Sequence, residues 1–364
     1  MKITAIDTCI LTIPMQREMK KQFAHHKLVV VEISTDEGIT GLGTTLGFGG
    51  GNVEVIQLYL ETRLKPMLIG QDPLFVQRLW DRMYRAESGK KHGIAAFAIS
   101  AIDIGLWDIV GRVAKQPLYK LWGAVNDRIP AYGSGGFVNY SIDDLINEAQ
   151  TYVGMGCKYY KMKIHHPDPR ENRKRVEAVR RALGDGVGVM VDVNQRLDVH
   201  SSIEQAKMLE DLDLVWYEEP VDADDVSACA ELARSIRIPV ATGENAYTRY
   251  EFRDLIDKRC ARYLMPDVQH ANGFSETLRI AQLAAANQLM VSPHLAHELS
   301  IHVVGALSNG FLVEFMDWIP KDLFEHPLQC SEGCFRIPEQ PGHGVALAPG
   351  AKEKYRGAWA ESSH

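Results

Sequence analysis

Long charge runs of one sign are missing from this chain, and a class of partners goes with them. Forty Lys+Arg stand against 47 Asp+Glu, for a net charge of −7 over 364 residues, with a pI near 6.0. No basic stripe of the kind that neutralises phosphates is present, so nucleic acid is not an expected partner. Cysteine pairing is also lacking. The six cysteines (Cys9, Cys157, Cys229, Cys260, Cys330, Cys334) fall mostly singly within periodic segments, which suits reduced, packed thiols rather than a disulfide framework. Cys330 and Cys334 lie close in sequence, but no second Cys or His pair at zinc spacing accompanies them. The opening stretch "MKITAIDTCILTIP" is interrupted by Thr4, Asp7 and Thr8 and predicts neither a signal peptide nor a membrane span. A cytoplasmic location without a membrane partner is the expectation. What is present is 46% hydrophobic content, enough for two domains or one capped barrel around a small-molecule site.

From about residue 129, short apolar runs alternate with stretches of helical periodicity, as repeated βα units would give. The runs read "IPAYGSG", "CKYYKMKI", "GVMVDVN", "LVWYEEP", "PVATGEN", "RYLMPDV", "LMVSPH" and "FLVEFMDW". Eight strands at this pace imply a parallel sheet closed into a barrel. Residues 1–125 differ. "KLVVVEISTDEGITGLG" predicts two antiparallel strands joined at "TDEG", and "VEVIQLYLETRLKPMLIG" and "GIAAFAISAIDIGLWDIVGRVAKQ" read as helices. The predicted organisation is an α+β capping domain over 1–125, an α/β barrel over 126–325 and a C-terminal segment over 326–364 that folds back onto the cap.

In parallel barrels the chemistry gathers at the C-terminal ends of the strands. Here successive runs end in Lys161 and Lys163, Asp192 and Asn194, Glu218 and Glu219, Glu244, Asp267, His294, and Glu314 with Asp317. Asp192, Glu218 and Glu244 come from three adjacent strands and could converge at the mouth. An all-oxygen set suits a hard cation, Mg²⁺ first and Mn²⁺ second. Zinc is disfavoured because neither His nor Cys joins the trio.

Lys161 and Lys163, two apart on one strand, share a face. Taken alone, such a pair guards an edge strand. Beside a divalent cation it predicts a depressed lysine pKa and a neutral amine available as a base. Lys163, nearer the strand end, is the candidate base and Lys161 the tuning and positioning group. On the other side of the metal, Asp267 is placed to hold the His294 imidazole in one tautomer and to stabilise its charged form. Glu314 is expected to share a hydrogen bond with a substrate oxygen, through a pKa raised by burial. Glu219, Asp317, His297, His165 and His166 read as structural, and Trp107, Trp122 and Trp216 as core. Two acid/base groups flanking a metal suit removal of the proton next to a carboxylate, with the metal stabilising the resulting enediolate.

These residues resemble a known family. "YYKMKI", "VMVDVNQRLDV", "WYEEP", "ATGEN", "MPDV", "SPHLAHELS" and "LVEFMDW" are similar, in order, to the barrel-strand motifs of the mandelate racemase subgroup of the enolase superfamily. The resemblance implies a modified TIM barrel, (β/α)₇β, with an N-terminal capping domain completed by the C-terminal tail. It also implies Mg²⁺ on Asp192, Glu218 and Glu244, Lys163 as one base, the His294–Asp267 dyad as the other, and Glu314 facing the enediolate. Asn194 matches a position near the substrate carboxylate, and a homo-oligomer is expected.

Substrate choice in this family lies mainly in two cap loops, matching residues 14–27 and 46–52 here. The first carries Arg17, Lys20, Lys21, His25, His26 and Lys27, suited to hydroxyls and a carboxylate. The segment after Glu314 resembles the acid-sugar dehydratases of the subgroup. The expected reaction is therefore dehydration of an aldonate or aldarate to a 2-keto-3-deoxy acid. A racemase, an epimerase or a lactone cycloisomerase on the same site is the alternative. A barrel that binds metal and acid without catalysis is the alternative from another class, against which the poised bases argue.

Overall fold

The computed structural model describes residues 1–15, 25–47, 53–86 and 92–356. Arg17, Lys20 and Lys21 of the first cap loop and residues 48–52 of the second lie outside them.

The cap begins with an antiparallel sheet of β1 (Ile3–Pro14), β2 (His25–Thr35) and β3 (Thr40–Gly47), in that order. The predicted β2–β3 hairpin turns at Gly38, whose φ of 76° needs a residue without Cβ. Four helices follow, α1 (Val53–Tyr59), α2 (Lys65–Leu68), α3 (Val76–Ala86) and α4 (Ile94–Ala114), and then the short α5 (Leu118–Leu121). By length and composition α4 could cross a bilayer, at a mean hydropathy of 1.7, but 78% of that window is buried inside the protein. It is the central rod of the cap. It lies directly on the sheet: a Cβ on Gly43 would come within 1.8 Å of the Ala101 carbonyl oxygen, and one on Gly41 within 2.2 Å of that of Gly105.

The barrel strands are β4 (Arg128–Gly135), β5 (Tyr159–Lys163), β6 (Gly188–Asp192), β7 (Leu214–Glu218), β8 (Val240–Thr242), β9 (Tyr263–Leu264), β10 (Met290–Val291) and β11 (Val313–Phe315). They are parallel and in sequence order, with β11 returning to pair with β4. Seven helices fill the connections: α6 (Ile142–Gly154), α7 (Pro169–Leu183), α8 (Val199–Leu209), α9 (Val226–Ser235), α10 (Arg249–Asp257), α11 (Gly273–Ala286) and α12 (His297–Gly305). This is the (β/α)₇β arrangement. Their starts carry capping chemistry, with a reciprocal box between Ser141 and Asp144 and side-chain caps from Asp168, Asp198 and Asp225. The seam closes through a single bridge between Val291 and Gly310, reinforced by Phe311 N donating to Val291 O at 2.8 Å. Tyr132, Met190, Trp216, Ala241, Met265 and Leu312 plug the interior, so the barrel is packed below its mouth.

Two buried acids of α4 fasten the cap. Asp103 accepts hydrogen bonds from Ser275 N (2.8 Å) and Ser275 Oγ (2.6 Å) at the start of α11. Asp108 accepts from Leu42 N at 3.0 Å and from Arg112 Nε at 2.8 Å. The tail serves both halves of the molecule. β12 (Cys334–Arg336) pairs antiparallel with the foot of β4. The chain then reaches the cap, where His343 N meets Asp108 Oδ1 at 3.2 Å, Lys352 pairs with Glu32, and α13 (Ala351–Tyr355) packs against β1. All six cysteines are free thiols.

Candidate active site

Strand register brings the predicted residues together. Lys163 is paired with Asp192 across β5–β6, and Asp192 with Glu218 across β6–β7. Glu244 follows two residues after β8. Asp192, Glu218 and Glu244 each offer an oxygen within 4.8 Å of the others. Each carboxylate is held by its own strand or turn. Asn194, in the left-handed region at φ 49°, donates its N–H to Asp192 Oδ1 at 2.8 Å and lies with Nδ2 3.3 Å from Oδ2. Trp216 Nε1 donates to Glu218 Oε2 at 2.7 Å. Glu244 Oε2 is buried and accepts no hydrogen bond. A divalent cation fits this set: three converging oxygen donors, one of them without a hydrogen-bond partner, in a site crowded with negative charge. The crowding is felt by Glu218, whose pKa stands well above the carboxylate range through burial and through Asp192, Glu244 and Glu314, against the pull of Lys161. Asp192 is also buried, but Lys163 and Lys161 hold it below its ordinary value.

The lysines sit among these carboxylates. Lys161 Nζ lies 2.5 Å from Glu218 Oε1 and 2.9 Å from Glu314 Oε1, and Lys163 Nζ is hydrogen-bonded to Asp192 Oδ2. Burial disfavours both ammoniums, yet the surrounding carboxylates outweigh it and both pKa values are raised, not depressed. The expected depression includes a bound cation, which would draw on the same carboxylates that hold these ammoniums. Glu314 departs from expectation. It accepts hydrogen bonds from Ser134 Oγ at 2.6 Å and Leu295 N at 3.0 Å. Burial would raise its pKa, but Lys161, His294 and Lys163 hold it well below the carboxylate range. It is an ionised acceptor rather than the protonated donor that burial alone predicted.

On the far side of the triad, His294 Nδ1 lies 2.8 Å from Asp267 Oδ2, and Nε2 lies 3.5 Å from Glu244 Oε2. Burial opposes the imidazolium, but Glu244, Asp267 and Glu314 raise its pKa to about 10. Asp267 is itself fixed by Gln269 N at 2.7 Å. The arrangement therefore has two nitrogen groups on opposite flanks of an oxygen triad, each within reach of one of its carboxylates.

Several side chains in or behind the site escaped the sequence reading. Trp216, taken as core, is the partner of Glu218. Its position two residues earlier on the same strand face was a usable signal. Ser134, at the end of β4, was a usable strand-end signal, whereas Gln269 and His270, the latter 3.6 Å from Asp267 Oδ2, follow from no such rule. Glu219 is structural: it accepts from Gly243 N (2.9 Å), Asn245 Nδ2 (3.2 Å) and Thr242 Oγ1, bracing the turn that carries Glu244. Burial, with Glu244 nearby, pushes it up to about 7. His297 stacks on Phe335, and His166 N is hydrogen-bonded to Asn172 Oδ1 at 3.0 Å. In the cap, Lys27 is paired with Glu54 at 2.7 Å, and His26 is buried 5.1 Å from the ring of Trp318.

Residues 3–123 match the family described as mandelate racemase / muconate lactonizing enzyme, N-terminal domain, and residues 144–351 match the enolase C-terminal domain-like family. The chain is 33% identical over 322 residues to a 3,6-anhydro-α-L-galactonate cycloisomerase of Streptomyces coelicolor, covering 88% of this chain and 89% of that protein. It is 32% identical over 349 residues to an arabinonate dehydratase of Saccharolobus solfataricus, covering 92% and 93%. Among solved structures, an L-talarate dehydratase of a Polaromonas species, complexed with Mg and L-glucarate, aligns at a TM-score of 0.89 and 33% identity, covering 97% of this chain and 96% of that one.

Proposed function

We propose a Mg²⁺-dependent abstraction of the proton next to a carboxylate for this chain, which belongs to the mandelate racemase subgroup of the enolase superfamily. The favoured outcome is dehydration of an acid sugar to a 2-keto-3-deoxy acid. The observation that carries this reading is the placement of Lys163 and His294 on opposite flanks of the carboxylate triad. Asp192, Glu218 and Glu244 would hold the ion, whose positive charge stabilises the enediolate formed when the α-proton leaves.

The chain's own residues supply the remaining chemistry. Lys163 takes the α-proton as the neutral amine, after giving its own proton to solvent, a loss that a cation on Asp192 would favour by drawing that carboxylate away from the ammonium. Lys161, kept charged by Glu218 and Glu314, holds the substrate carboxylate, with Glu314 acting through Lys161 and Asn194 beside Asp192. His294, charged on Asp267, gives its Nε2 proton to the β-hydroxyl. The electron pair of the broken C–H bond forms the C=C bond, the C–O bond breaks, and the hydroxide leaves as water with the His294 proton. The enol then tautomerises to the 2-keto-3-deoxy acid. Residues 1–125 and 326–364 form the cap that selects substrate, over a barrel of 126–325. A cytoplasmic, homo-oligomeric enzyme of carbohydrate breakdown completes this reading, on the strength of the family.

Proton NMR in D₂O with Mg²⁺ and a panel of aldonates and aldarates tests it. Loss of an α-proton signal with a new 2-keto-3-deoxy product is the expected result. Exchange or ring closure without loss of water would favour the isomerase reading, which the cycloisomerase relative supports. No change in any acid would sink both.

A further inference from the structure

Two pairs of free thiols stand side by side among the described residues, and they differ in their access to solvent. Cys229, on α9, and Cys260, just ahead of β9, are 5% and 0% exposed. Cys229 Sγ lies 3.8 Å from Cys260 O, and Cys260 Sγ lies 3.4 Å from Val226 O. The other pair joins the barrel to the tail. Cys157, two residues before β5, is 1% exposed, whereas its partner Cys330, ahead of β12, is partly exposed.

The backbone fixes this second pair. Ser331 to Cys334 form a tight turn, in which Ser331 N donates to Cys334 O at 2.9 Å and Cys334 N to Ser331 O at 3.0 Å. Its central residues, Glu332 and Gly333, have φ of 52° and 70°, both positive as a type I′ hairpin requires. The turn is pinned to the foot of the barrel, where Gly333 N donates to Met155 O and Gly333 O accepts from Ala131 N, both at 2.9 Å. The approach is close: a Cβ on Gly333 would come within 2.1 Å of Gly156 O and 2.8 Å of Cys157 N. Cys330 leads into this turn and packs on the core cluster that contains Cys157. The two thiols share a hydrogen bond, which raises Cys157 above the ordinary thiol value and lowers Cys330 below it. Thiolate character therefore gathers on the sulfur that solvent reaches.

We propose that Cys157 and Cys330 form a reversible oxidation site, closed into a disulfide by exchange with a low-molecular-weight disulfide of the glutathione class. The Cys330 thiolate attacks one sulfur of the small disulfide, whose S–S bond breaks as a small thiolate leaves. The Cys157 thiol then gives its proton to solvent and attacks Cys330 Sγ, displacing the second small thiolate. Both protein thiols are oxidised, and the small disulfide is reduced to two thiols that take up the protons. Cys229 and Cys260, out of reach of solvent, stay reduced. The new bond encloses β5 to β11 and ties the tail to the barrel foot, at the end of the strands remote from the carboxylate triad.

The test treats the intact protein with glutathione disulfide, alkylates the remaining thiols in denaturant and maps them by mass spectrometry. A Cys157–Cys330 cross-link is expected, with Cys9, Cys229 and Cys260 alkylated. Tm should rise by about 5 °C or more, because the closed loop restricts the unfolded chain, and should return on reduction with dithiothreitol. Cys330→Ser should abolish both the cross-link and the Tm shift, whereas Cys334→Ser should keep both. A cross-link between Cys330 and Cys334 or between Cys229 and Cys260, a lasting mixed disulfide on Cys330, or a full set of free thiols would each overturn the assignment.

Discussion

The cap and the barrel mouth both bury carboxylates, but with opposite results. In α4 of the cap, Asp108 is fully buried and met by Leu42 N, His343 N and the Arg112 guanidinium. With donors on both oxygens it works as a clamp. At the mouth, Glu218 is equally buried, yet it shares Lys161 with Glu314 and stands beside Asp192 and Glu244. A buried acid with its own donors stabilises the fold. Buried acids that must share cations are held there against their electrostatics, and such conflict marks a working site.

The largest expected effect comes from the flanking bases. Lys163→Ala and His294→Asn should each reduce turnover by about 10³-fold or more while the urea midpoint stays near the native value. A loss of stability equal to the loss of activity would erase the contrast, since the mouth would then behave like the cap. Next is the direct exchange between regions. Asp108→Ala should cost about 2–3 kcal/mol in urea unfolding, because it strands buried donors of Leu42 and His343. Glu218→Gln should raise the Tm of the metal-free protein, because it removes a charge that the fold disfavours. Destabilisation by Glu218→Gln would break the comparison.

The smallest effect sharpens it within the cap. Burial raises Asp103 from 3.8 to about 7, against the hydrogen bonds of Ser275. The folded form therefore binds a proton that the unfolded form has already lost between pH 3.8 and about 7. Stability conferred by this group is complete below the lower value and falls as pH rises through the window. Asp103→Asn should flatten that portion of the urea-midpoint profile. An unchanged slope would mean that Asp103 stays ionised across that window.

Much of the site was legible because a parallel barrel exports one end of every strand to the same place. That rule found Asp192, Glu218, Glu244, Asp267 and His294 without any distance. Even β9 and β10, two residues each, were readable from what followed them. Protonation was less legible. The sign expected for Glu314 came from burial alone, whereas Lys161, His294 and Lys163 together outweigh it. Trp216 could have been found from its spacing to Glu218. Gln269 could not, because its meaning depends on Thr44, 225 residues away.

The tail carries a consequence for the order in which the protein is made. His343 Nε2 is hydrogen-bonded to Leu42 O across 301 residues, and Lys352 reaches back to Glu32. At ordinary ribosomal speed, roughly 15–60 s separate the synthesis of those two ends. During that interval the first sheet waits without the strap, while the barrel strands from Arg128 to Phe315 are still being made. A cavity lined by Glu314 has Val345 in its wall as well, so that wall is finished among the last parts of the molecule, and a nascent chain cannot close the pocket before it is nearly whole.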